Sequence, residues 1–567
     1  MRFRLYCLAA SAVAFWSSSA GAGPLSPAIV APAEALSYRS TTVAARAAFD
    51  AGDYARAEQL FRKASDLYPL DPDNWRYLAT SLRQQGKWAE AIPAYQQLID
   101  RGGTFVGSGR YWQAVGQLKL GQTDAALKTL ETMIYFDHAS DRPSLASDEQ
   151  FKTLWGNSRF IALVAPRPSA AAGDRVAGWR GDLDYLVAEI HRLTPDYRGR
   201  SLPMPTKHLI DTLRVNIPRF SDEQIYVAMS DILGSLHQGH TMMWGFSFDP
   251  GAIQRIVFNF LPVQPYAFPQ GLFVVAAEPK YQALVGSRIT AIGDVPIDRV
   301  MAQVREATSF GSEAEFAWTG PLRTMSVPLL VGIGAAERGK PIMLTLEQAG
   351  KTSQVQVEPV SAMLGQKLPR RGVNAVADAG KAPFELSPVG DGSTQLVRFD
   401  QVLNGDAETL AAFGARVASV VSQDQVRSVI IDLRLNNGGN SFFYPELIRA
   451  LTAFSTRPGR QVYALIGRNV YSAAGNFATD LERFANPIFI GEPTGNMGNQ
   501  FGDEGKVVLP WSGLHATVAS VKWQLSHPWD SRGSIVPQIP VATSAQDYFA
   551  GRDPAMEIAK TLALTKR

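Results

Sequence analysis

A serine in the last third of the chain stands where many α/β enzymes place a nucleophile. Ser472 follows the apolar run "QVYALIG" at residues 461–467 and opens "SAAGNFATDLERF", which has small residues and a helical pattern. Serine is also common at helix starts, because its hydroxyl accepts hydrogen bonds from free backbone N–H groups. The sequence therefore leaves two interpretations of Ser472, a helix cap and a catalytic nucleophile.

Other polar motifs indicate less. His237 and His240 lie three residues apart near the predicted end of a helix, but two histidines without a nearby third ligand are more often a polar helix end than a metal site. The loop "DLRLNNGGN" lacks the lysine and the glycine spacing of phosphate-binding loops, so we reject nucleotide binding. "VYSAA" is not the G-x-S-x-G pattern of ordinary esterases.

Length and composition limit the class of protein. At 567 residues the chain needs three or four domains, and its 46% hydrophobic and 19% charged residues are typical of globular proteins. The net charge of +3 is small for this size. It predicts no nucleic-acid or anionic-membrane partner.

The N-terminus has the pattern of a secretory signal. A basic start at residues 1–4 precedes an apolar run at residues 5–16 and a small-residue cleavage pattern ending at Ala22. We assign residues 1–22 to a signal peptide and expect a periplasmic or secreted protein without a membrane span after its removal. Cys7, the single cysteine, lies inside this segment. The mature chain is then expected to have no disulfide, catalytic thiol or thiolate metal site.

Residues 43–135 repeat with a helix-turn-helix period. Gly52, Gly86 and Gly121, spaced by 34 and 35 residues, are each followed five residues later by alanine. This period resembles tetratricopeptide repeats, with glycine at the turn and alanine where paired helices pack closely. We assign residues 40–165 to such repeats. The array is expected to bind a segment of a protein partner, or else to rigidify the chain or mediate dimerisation.

The middle of the chain changes from helices to strands. Residues 175–250 contain two amphipathic helical patterns, the second with Ser221 and Gln224 in capping-box positions. Residues 251–365 contain short strand patterns, and "LVGSRITAIGDVPIDRVM" resembles half of a PDZ domain. Linkers are predicted at residues 165–173 and 365–383.

The last domain, residues 391–565, alternates strand and helix patterns. Such alternation predicts βαβ units, a largely parallel sheet, and a site at the carboxyl ends of its strands. The loops "LRLNNGGN" and "GRNVYSAAG" both emerge at that edge. The predicted fold class is therefore multidomain α plus α/β, with a helical repeat array, a helical subdomain, a small β-rich region and an α/β core.

Several motifs of the second half resemble the carboxyl-terminal processing (tail-specific) serine peptidases and the core of tricorn protease. They are "SLHQGHT", "IDLRLNNGG", "YSAAGNFA", "FIGEPTG", "SIVPQIPV" and the ending "DYFAGRDPAMEIA". Together they cover about residues 180 to 560 in the order expected for that family. The resemblance implies a serine peptidase with no metal or organic cofactor.

The resemblance is incomplete at the catalytic base. Tail-specific members use a Ser/Lys pair, and the position of their lysine is Met497 here. A thioether cannot accept a proton, and Lys506 and Lys522 lie outside the motif. Tricorn-like members use a histidine instead, which aligns with His240, and a neutral imidazole suits a general base near neutral pH.

The resemblance implies the remaining roles. Ser472 would attack a peptide carbonyl, and backbone N–H groups of Gly438 or Gly439 and of Ala473 would stabilise the oxyanion. The serine that precedes the histidine in tricorn is replaced by Gly239. The residue that orients His240 is then predicted to be Asp530.

Two acids are weighed as substitutes for Asp530 in this role: Asp503 and Glu504.

The predicted function is an exported serine peptidase that hydrolyses polypeptides through an acyl-enzyme. The alternative is a peptidase-like protein of weak or no activity that binds peptides as a scaffold, and a third is an amide or ester hydrolase acting on small substrates. A short distance between Ser472 Oγ and the His240 imidazole would favour catalysis.

Overall fold

The structure, a computed structural model, describes most of the chain. The described residues are 32–103, 105–136, 142–164, 173–244, 256–361 and 382–565. The predicted signal peptide, with Cys7 and Ala22, and most of both predicted linkers lie outside these ranges. Among the described helices, none is both long enough and apolar enough to cross a membrane.

The chain divides after Leu130 into two compact units. The first consists of helices, and the last of them continues into the second unit. Their bounds are α1 Pro32–Asp50, α2 Tyr54–Leu67, α3 Pro72–Gln84, α4 Trp88–Arg101, α5 Val106–Lys119 and α6 Thr123–Phe136.

The repeat signature of the sequence has a direct structural counterpart in the first unit. Gly52, Gly86 and Gly121 lie in the turns between helices with φ of 75°, 75° and 72°, a conformation that glycine adopts without steric cost. The alanines five residues after these glycines are fully buried: Ala57, Ala91 and Ala126. Small side chains at these places let the helices pack closely.

The second unit begins with helices, and Trp179 on one of them is fully buried in a core shared with the two helices that follow it. These first helices precede the first strand and include a short 3₁₀ helix, Glu149–Leu154. Their bounds are α7 Arg142–Ala146, α8 Ser158–Val164, α9 Arg175–Leu193, α10 Met204–Asn216 and α11 Asp222–Gly234. The capping box predicted for α11 is formed, with Ser221 and Gln224 each bonding the other's backbone N–H.

Residues 263–357 form an antiparallel sheet with three helices. The strand order is β2-β3-β4-β6-β7, and β5 pairs with β4. The bounds are β2 Val263–Phe268, β3 Gly271–Ala277, β4 Arg288–Ile292, β5 Val295–Pro296, α12 Ile297–Glu306, α13 Glu313–Arg323, α14 Val327–Gly332, β6 Ile342–Gln348 and β7 Lys351–Val357. The likeness of this region to a PDZ domain stays a prediction.

The last part of the chain forms a six-stranded sheet of order β15-β12-β11-β10-β9-β8. All its strand pairs are parallel except β8 with β9, so the predicted fold class and its largely parallel sheet are confirmed. The bounds are β8 Phe384–Val389, β9 Thr394–Phe399, α15 Leu410–Val421, β10 Ser428–Asp432, α16 Pro445–Ser455, β11 Gln461–Ile466, α17 Ala473–Ala485, β12 Ile488–Gly491, β15 Ile539–Pro540, α18 Ala545–Phe549 and α19 Pro554–Thr565.

The parallel sheet is buried on both faces. Val429 and Ile431 of β10 point into a core with α15, α16 and α17, whereas Ile430 between them packs with Ala559 of α19. Alternate side chains of a strand face opposite sides of a sheet, and here both sides are covered. This explains why the strand sequences are continuously apolar.

A second, three-stranded antiparallel sheet connects distant parts of the unit. It has the order β1-β14-β13, with β1 Met242–Trp244, β13 Asn499–Val508 and β14 His515–Gln524. Met242 pairs with Thr517 of β14. The segment after α11 is thereby brought beside residues that lie between β12 and β15 of the parallel sheet.

Candidate active site

Ser472 lies between the carboxyl end of β11 and the start of α17. Its backbone has φ 55° and ψ −126°, a conformation that non-glycine residues rarely adopt and that is costly to hold. Its hydroxyl makes no hydrogen bond to the N–H groups of the helix. Instead, Ser472 Oγ lies 3.0 Å from Nε2 of His240, so Ser472 is not a capping residue.

His240 lies in the loop between α11 and β1, with φ 65°. Its carbonyl oxygen accepts a hydrogen bond of 2.9 Å from Thr517 Oγ1, and the Thr241 hydroxyl accepts one of 2.9 Å from the Ala519 N–H. On the other side, Gln238 exchanges two hydrogen bonds with Ser309. The histidine is therefore fixed to β14 and to the loop after α12.

Tyr471 contacts the other side of the imidazole. Its hydroxyl lies 3.0 Å from His240 Nδ1, and the Tyr471 ring also stacks on the imidazole at 4.6 Å and meets Trp318 edge-on. The Tyr471 hydroxyl also interacts with the buried carboxylate of Glu315, and each group shifts the pKa of the other. The N–H of Gly311 donates to the same carboxylate at 2.7 Å.

Burial governs the ionisation of these groups. Loss of solvation lowers the pKa of His240, and the carboxylates of Glu504 and Asp503 oppose that effect. Burial raises the pKa of Glu315 to about 7 and the pKa of Tyr471 well above 10. Near neutral pH the imidazole is therefore neutral, as a general base requires.

The glycine loop after β10 approaches the serine closely. A side chain at Gly438 would place its Cβ 2.7 Å from Ser472 Cβ, so only glycine fits. The Gly438 N–H already donates to Asn436 Oδ1 at 3.1 Å. Among the described residues, the N–H groups of Gly439 and Ala473 have no acceptor.

The serine and histidine open into a cavity of about 760 Å³. Its lining combines apolar side chains with the polar groups of the site, and includes Met242, Phe260, Trp318, Leu322, Asp503 and Glu504. Volumes of 300–1,000 Å³ are typical of ligand sites. The cavity could hold one or two side chains of a larger substrate.

The structure does not bring Asp530 to His240. Its carboxylate binds the guanidinium of Arg532, accepts from Ser526, and does not line the cavity. These partners hold the pKa of Asp530 far below its ordinary value, with Arg532 the largest cause. The predicted orienting role of Asp530 thus has no contact to support it.

The structure also places Met497, which stands at the lysine position of tail-specific peptidases, and the two lysines outside that motif, Lys506 and Lys522. Met497 is only 1% exposed and packs in the core with α17. Lys522 forms an exposed ion pair with Asp196. Neither Lys506 nor Lys522 lines the cavity. In the part of the chain that the structure describes, no three His, Cys, Asp or Glu side chains are grouped as metal ligands.

The sequence analysis did not assign roles to Tyr471, Glu315 or Asn436. Tyr471 directly precedes the serine, and this adjacency was the one local signal available. Glu315 lies on α13 in no recognisable motif. Asn436 is fully buried and donates to the carbonyl of Phe399, and a buried asparagine before two glycines could have indicated a shaped loop.

Comparisons with known proteins agree with two of the predictions. Residues 42–104 match a family model described as a tetratricopeptide repeat. The predicted repeat is therefore confirmed over that segment. No curated protein matches the sequence.

Several solved structures, two of them described as proteases, resemble this chain in fold. Mature CPAF complexed with lactacystin is 14% identical, with a TM-score of 0.49 over 68% of this chain and 99% of its own. The photosystem II D1 C-terminal processing protease is 14% identical, with a TM-score of 0.32 over 66% of this chain and 98% of its own. Tricorn protease is 13% identical, with a TM-score of 0.33 over 69% of this chain and 37% of its own. The predicted kind of resemblance is confirmed, but at these values it concerns fold alone and carries no argument about function.

Proposed function

We propose that this protein is a serine peptidase that hydrolyses peptide bonds of polypeptides through an acyl-enzyme. Ser472 is the nucleophile and His240 the general base. The observation that carries the proposal is the 3.0 Å separation of Ser472 Oγ and His240 Nε2. A hydroxyl and a neutral imidazole at this distance form the unit that activates a serine.

The reaction follows from this pair. His240 Nε2 takes the hydroxyl proton as Ser472 Oγ bonds to the substrate carbonyl carbon. The imidazolium then gives that proton to the leaving amine, and the C–N bond breaks to leave an ester on Ser472. Water, deprotonated by the same nitrogen, attacks the ester and releases the acid.

The oxyanion is assigned to the N–H groups of Gly439 and Ala473. Both N–H groups are free of other acceptors within the described ranges, and Gly439 lines the cavity. Gly438 was an equal candidate in the sequence, but its N–H is engaged by Asn436. Loss of one such donor typically raises the barrier by about 3–4 kcal/mol.

The class of substrate and the way it is recruited are inferred from the repeats and from the N-terminal sequence pattern. Tetratricopeptide repeats typically bind protein segments, which favours a polypeptide substrate or a protein partner. The basic and apolar N-terminal pattern favours export.

The strained backbone of Ser472 argues against the alternative of an inactive scaffold. A protein that used this site only for binding would have no need to hold a serine at φ 55°, a conformation that functional sites retain at a cost of about 1–3 kcal/mol.

Hydrolysis of small esters or amides, the third alternative, would use the same groups. Cleavage of a peptide library distinguishes peptidase activity from that alternative.

The first experiment is labelling of the purified protein by a fluorophosphonate probe. We expect labelling of the wild type, no labelling of Ser472→Ala, and about 100-fold slower labelling of His240→Asn. Asparagine tolerates the positive φ of position 240. His237→Asn is the matched control, because His237 also has a positive φ, 51°, and it contacts Phe310 instead of the serine.

Two outcomes would contradict the proposal. Absence of labelling in the folded wild type would favour the peptide-binding scaffold. Labelling that persists in His240→Asn at the wild-type rate would remove the histidine from the mechanism.

A further inference from the structure

We propose that the Tyr471 hydroxyl and the Glu315 carboxylate together orient His240 and select the tautomer in which Nε2 is free to accept the serine proton. The inference rests on the proposed function, since it assigns positioning residues to the same site. Neither residue touches the reacting atoms, and both act through the imidazole.

The contacts form a continuous chain of polar groups. Ser472 Oγ lies 3.0 Å from His240 Nε2, and the Tyr471 hydroxyl lies 3.0 Å from His240 Nδ1. The same hydroxyl interacts with Glu315, and a Cβ at residue 239 would meet both the hydroxyl and Glu315 Oε1. The Gly311 N–H donates to Glu315 Oε2 at 2.7 Å, which fixes the carboxylate beside Tyr471.

Proton counting gives this chain a direction. A tyrosine hydroxyl has one proton to donate and can also accept. When Glu315 is ionised it can only accept, so Tyr471 donates to Glu315 and accepts from Nδ1–H of His240. The neutral imidazole then has no proton on Nε2, which is the form that a base for Ser472 requires.

A protonated Glu315 would allow the opposite direction. It would donate to Tyr471, Tyr471 would donate to Nδ1, and Nε2 would carry the proton and be unable to accept another. Ionisation of Glu315, whose pKa is raised by burial to about 7, therefore switches the base on as pH rises. The other charged groups that face the imidazole are Glu504 and Asp503 of β13. Both side chains are exposed.

The absence of a side chain at residue 239 makes this arrangement possible. A Cβ there would overlap the Tyr471 hydroxyl and lie 2.9 Å from Glu315 Oε1. The tyrosine hydroxyl thus occupies the space beside the histidine that a side chain of the preceding residue would fill. Gly239, which in the sequence counted as a missing partner, is the residue that admits Tyr471.

The test measures the rate constant of fluorophosphonate labelling against pH. Tyr471→Phe keeps the stacked ring and removes the hydroxyl, and Glu315→Gln keeps the shape and removes the ionisation. We expect labelling about 10- to 100-fold slower in both, a part of the 10²–10⁴-fold contribution of a general base. We also expect the rise near pH 7 in the wild type to be absent from Glu315→Gln.

A second tyrosine–carboxylate pair provides matched controls. Tyr444 is buried and donates to Asp480 Oδ2 at 2.9 Å, without contact to Ser472 or His240. Tyr444→Phe and Asp480→Asn are expected to keep the wild-type rate and pH profile. Thermal melts of all variants show whether each protein is folded.

A readout independent of activity uses ¹⁵N-labelled histidine in Ser472→Ala. The ¹⁵N shifts of His240 report which ring nitrogen carries the proton. We expect the proton on Nδ1 at pH 8, and a shift towards Nε2 in Tyr471→Phe and Glu315→Gln on the same background.

The outcomes separate the two proposals. If the wild type is never labelled but the tautomer changes as expected, the peptidase function fails and the positioning pair stands. If the wild type is labelled through Ser472 while Tyr471→Phe keeps its rate, pH profile and tautomer, the positioning pair is refuted and the proposed function stands.

Discussion

Three residues that adjoin in sequence or space decide the chemistry of this site. Ser472 and His240 both have positive φ angles, and Gly239 leaves room for the Tyr471 hydroxyl. The backbones of Ser472 and His240 thus depart from the conformations that non-glycine residues prefer. Such departures are expected at functional sites, where local structure is subordinate to the positions of reacting groups.

The arrangement can be tested by moving the hydroxyl that contacts His240 from Tyr471 to residue 239. Gly239→Ser is expected to slow fluorophosphonate labelling about 100-fold, because its Cβ displaces Tyr471. In the double variant Gly239→Ser with Tyr471→Phe, the collision with the tyrosine hydroxyl is relieved, the Glu315 side chain needs only a small shift, and the new serine can bond His240 and Glu315. We expect labelling to recover by about tenfold or more over Gly239→Ser, a non-additive effect typical of residues in contact.

The control for this exchange is Gly156→Ser, since a Cβ at Gly156 meets nothing within 4 Å. If the effects of Gly239→Ser and Tyr471→Phe on the labelling rate simply added in the double variant, a side chain at residue 239 and the Tyr471 hydroxyl would not compete for the same space.

At the scale of elements, the site depends on the pairing of β1 with β14. His240 immediately precedes Thr241 and β1, and the Thr517 hydroxyl on β14 donates to its carbonyl oxygen. The register of two strands thereby sets the position of the general base. The serine comes from a different sheet, at the end of β11.

Thr517→Val removes the hydroxyl bond to the His240 carbonyl while keeping the side-chain shape. We expect a loss of about 1 kcal/mol in the free energy of unfolding together with labelling several-fold slower than the wild type. Thr290→Val is the control, because the Thr290 hydroxyl donates to the Thr345 carbonyl in the other antiparallel sheet. A similar loss of stability with an unchanged labelling rate is expected there, and equal labelling rates in both variants would contradict the role of β14.

Sequence patterns predicted the elements that carry the site well. The runs "GLFVVAA" and "QVYALIG" correspond to β3 and β11, and "SAAGNFATDLERF" corresponds to α17 with Ser472 before it. These segments are apolar or amphipathic with clear periods, and their pattern is set by burial. The pairing of Ser472 with His240 was predicted from the resemblance, and the 3.0 Å between Ser472 Oγ and His240 Nε2 agrees with that prediction.

The rest of the site could not be predicted because it depends on contacts between distant segments. Glu315 reaches the site from α13, and nothing around it in the sequence distinguishes it from a surface glutamate. The long hairpin of β13 and β14 was also not predicted. Its strands contain several charged residues, and their partner β1 lies far away in the sequence. Asp530 was chosen by position along the chain, which gives no distance in space.

For the molecule as a whole, buried acids dominate the pH dependence of stability near neutrality. Burial raises the pKa of Glu315 and Asp231 to about 7 and that of Asp400 to about 6. In the unfolded chain these carboxyls ionise near pH 4. Between those values the folded protein binds more protons than the unfolded chain, so its stability falls as pH rises.

We therefore expect the melting temperature to be higher at pH 5 than at pH 8 by about 5 °C or more, which corresponds to a few kcal/mol in the free energy of unfolding. The lowered pKa of His240 acts in the opposite sense below pH 6.5 and reduces the difference. Asp400→Asn should flatten the melting profile without changing labelling, since Asp400 does not line the cavity. A melting temperature that rises steadily from pH 5 to pH 8 would contradict the assignment.

The distance along the chain between Ser472 and His240 also has a consequence for biosynthesis. The two residues are 232 positions apart and adjoin strands of different sheets, and both sheets must form before they meet. A newly made or partly unfolded chain would thus carry an unreactive serine. On the proposed function, cleavage of peptides begins only after both sheets have formed, so the order of folding itself delays the activity.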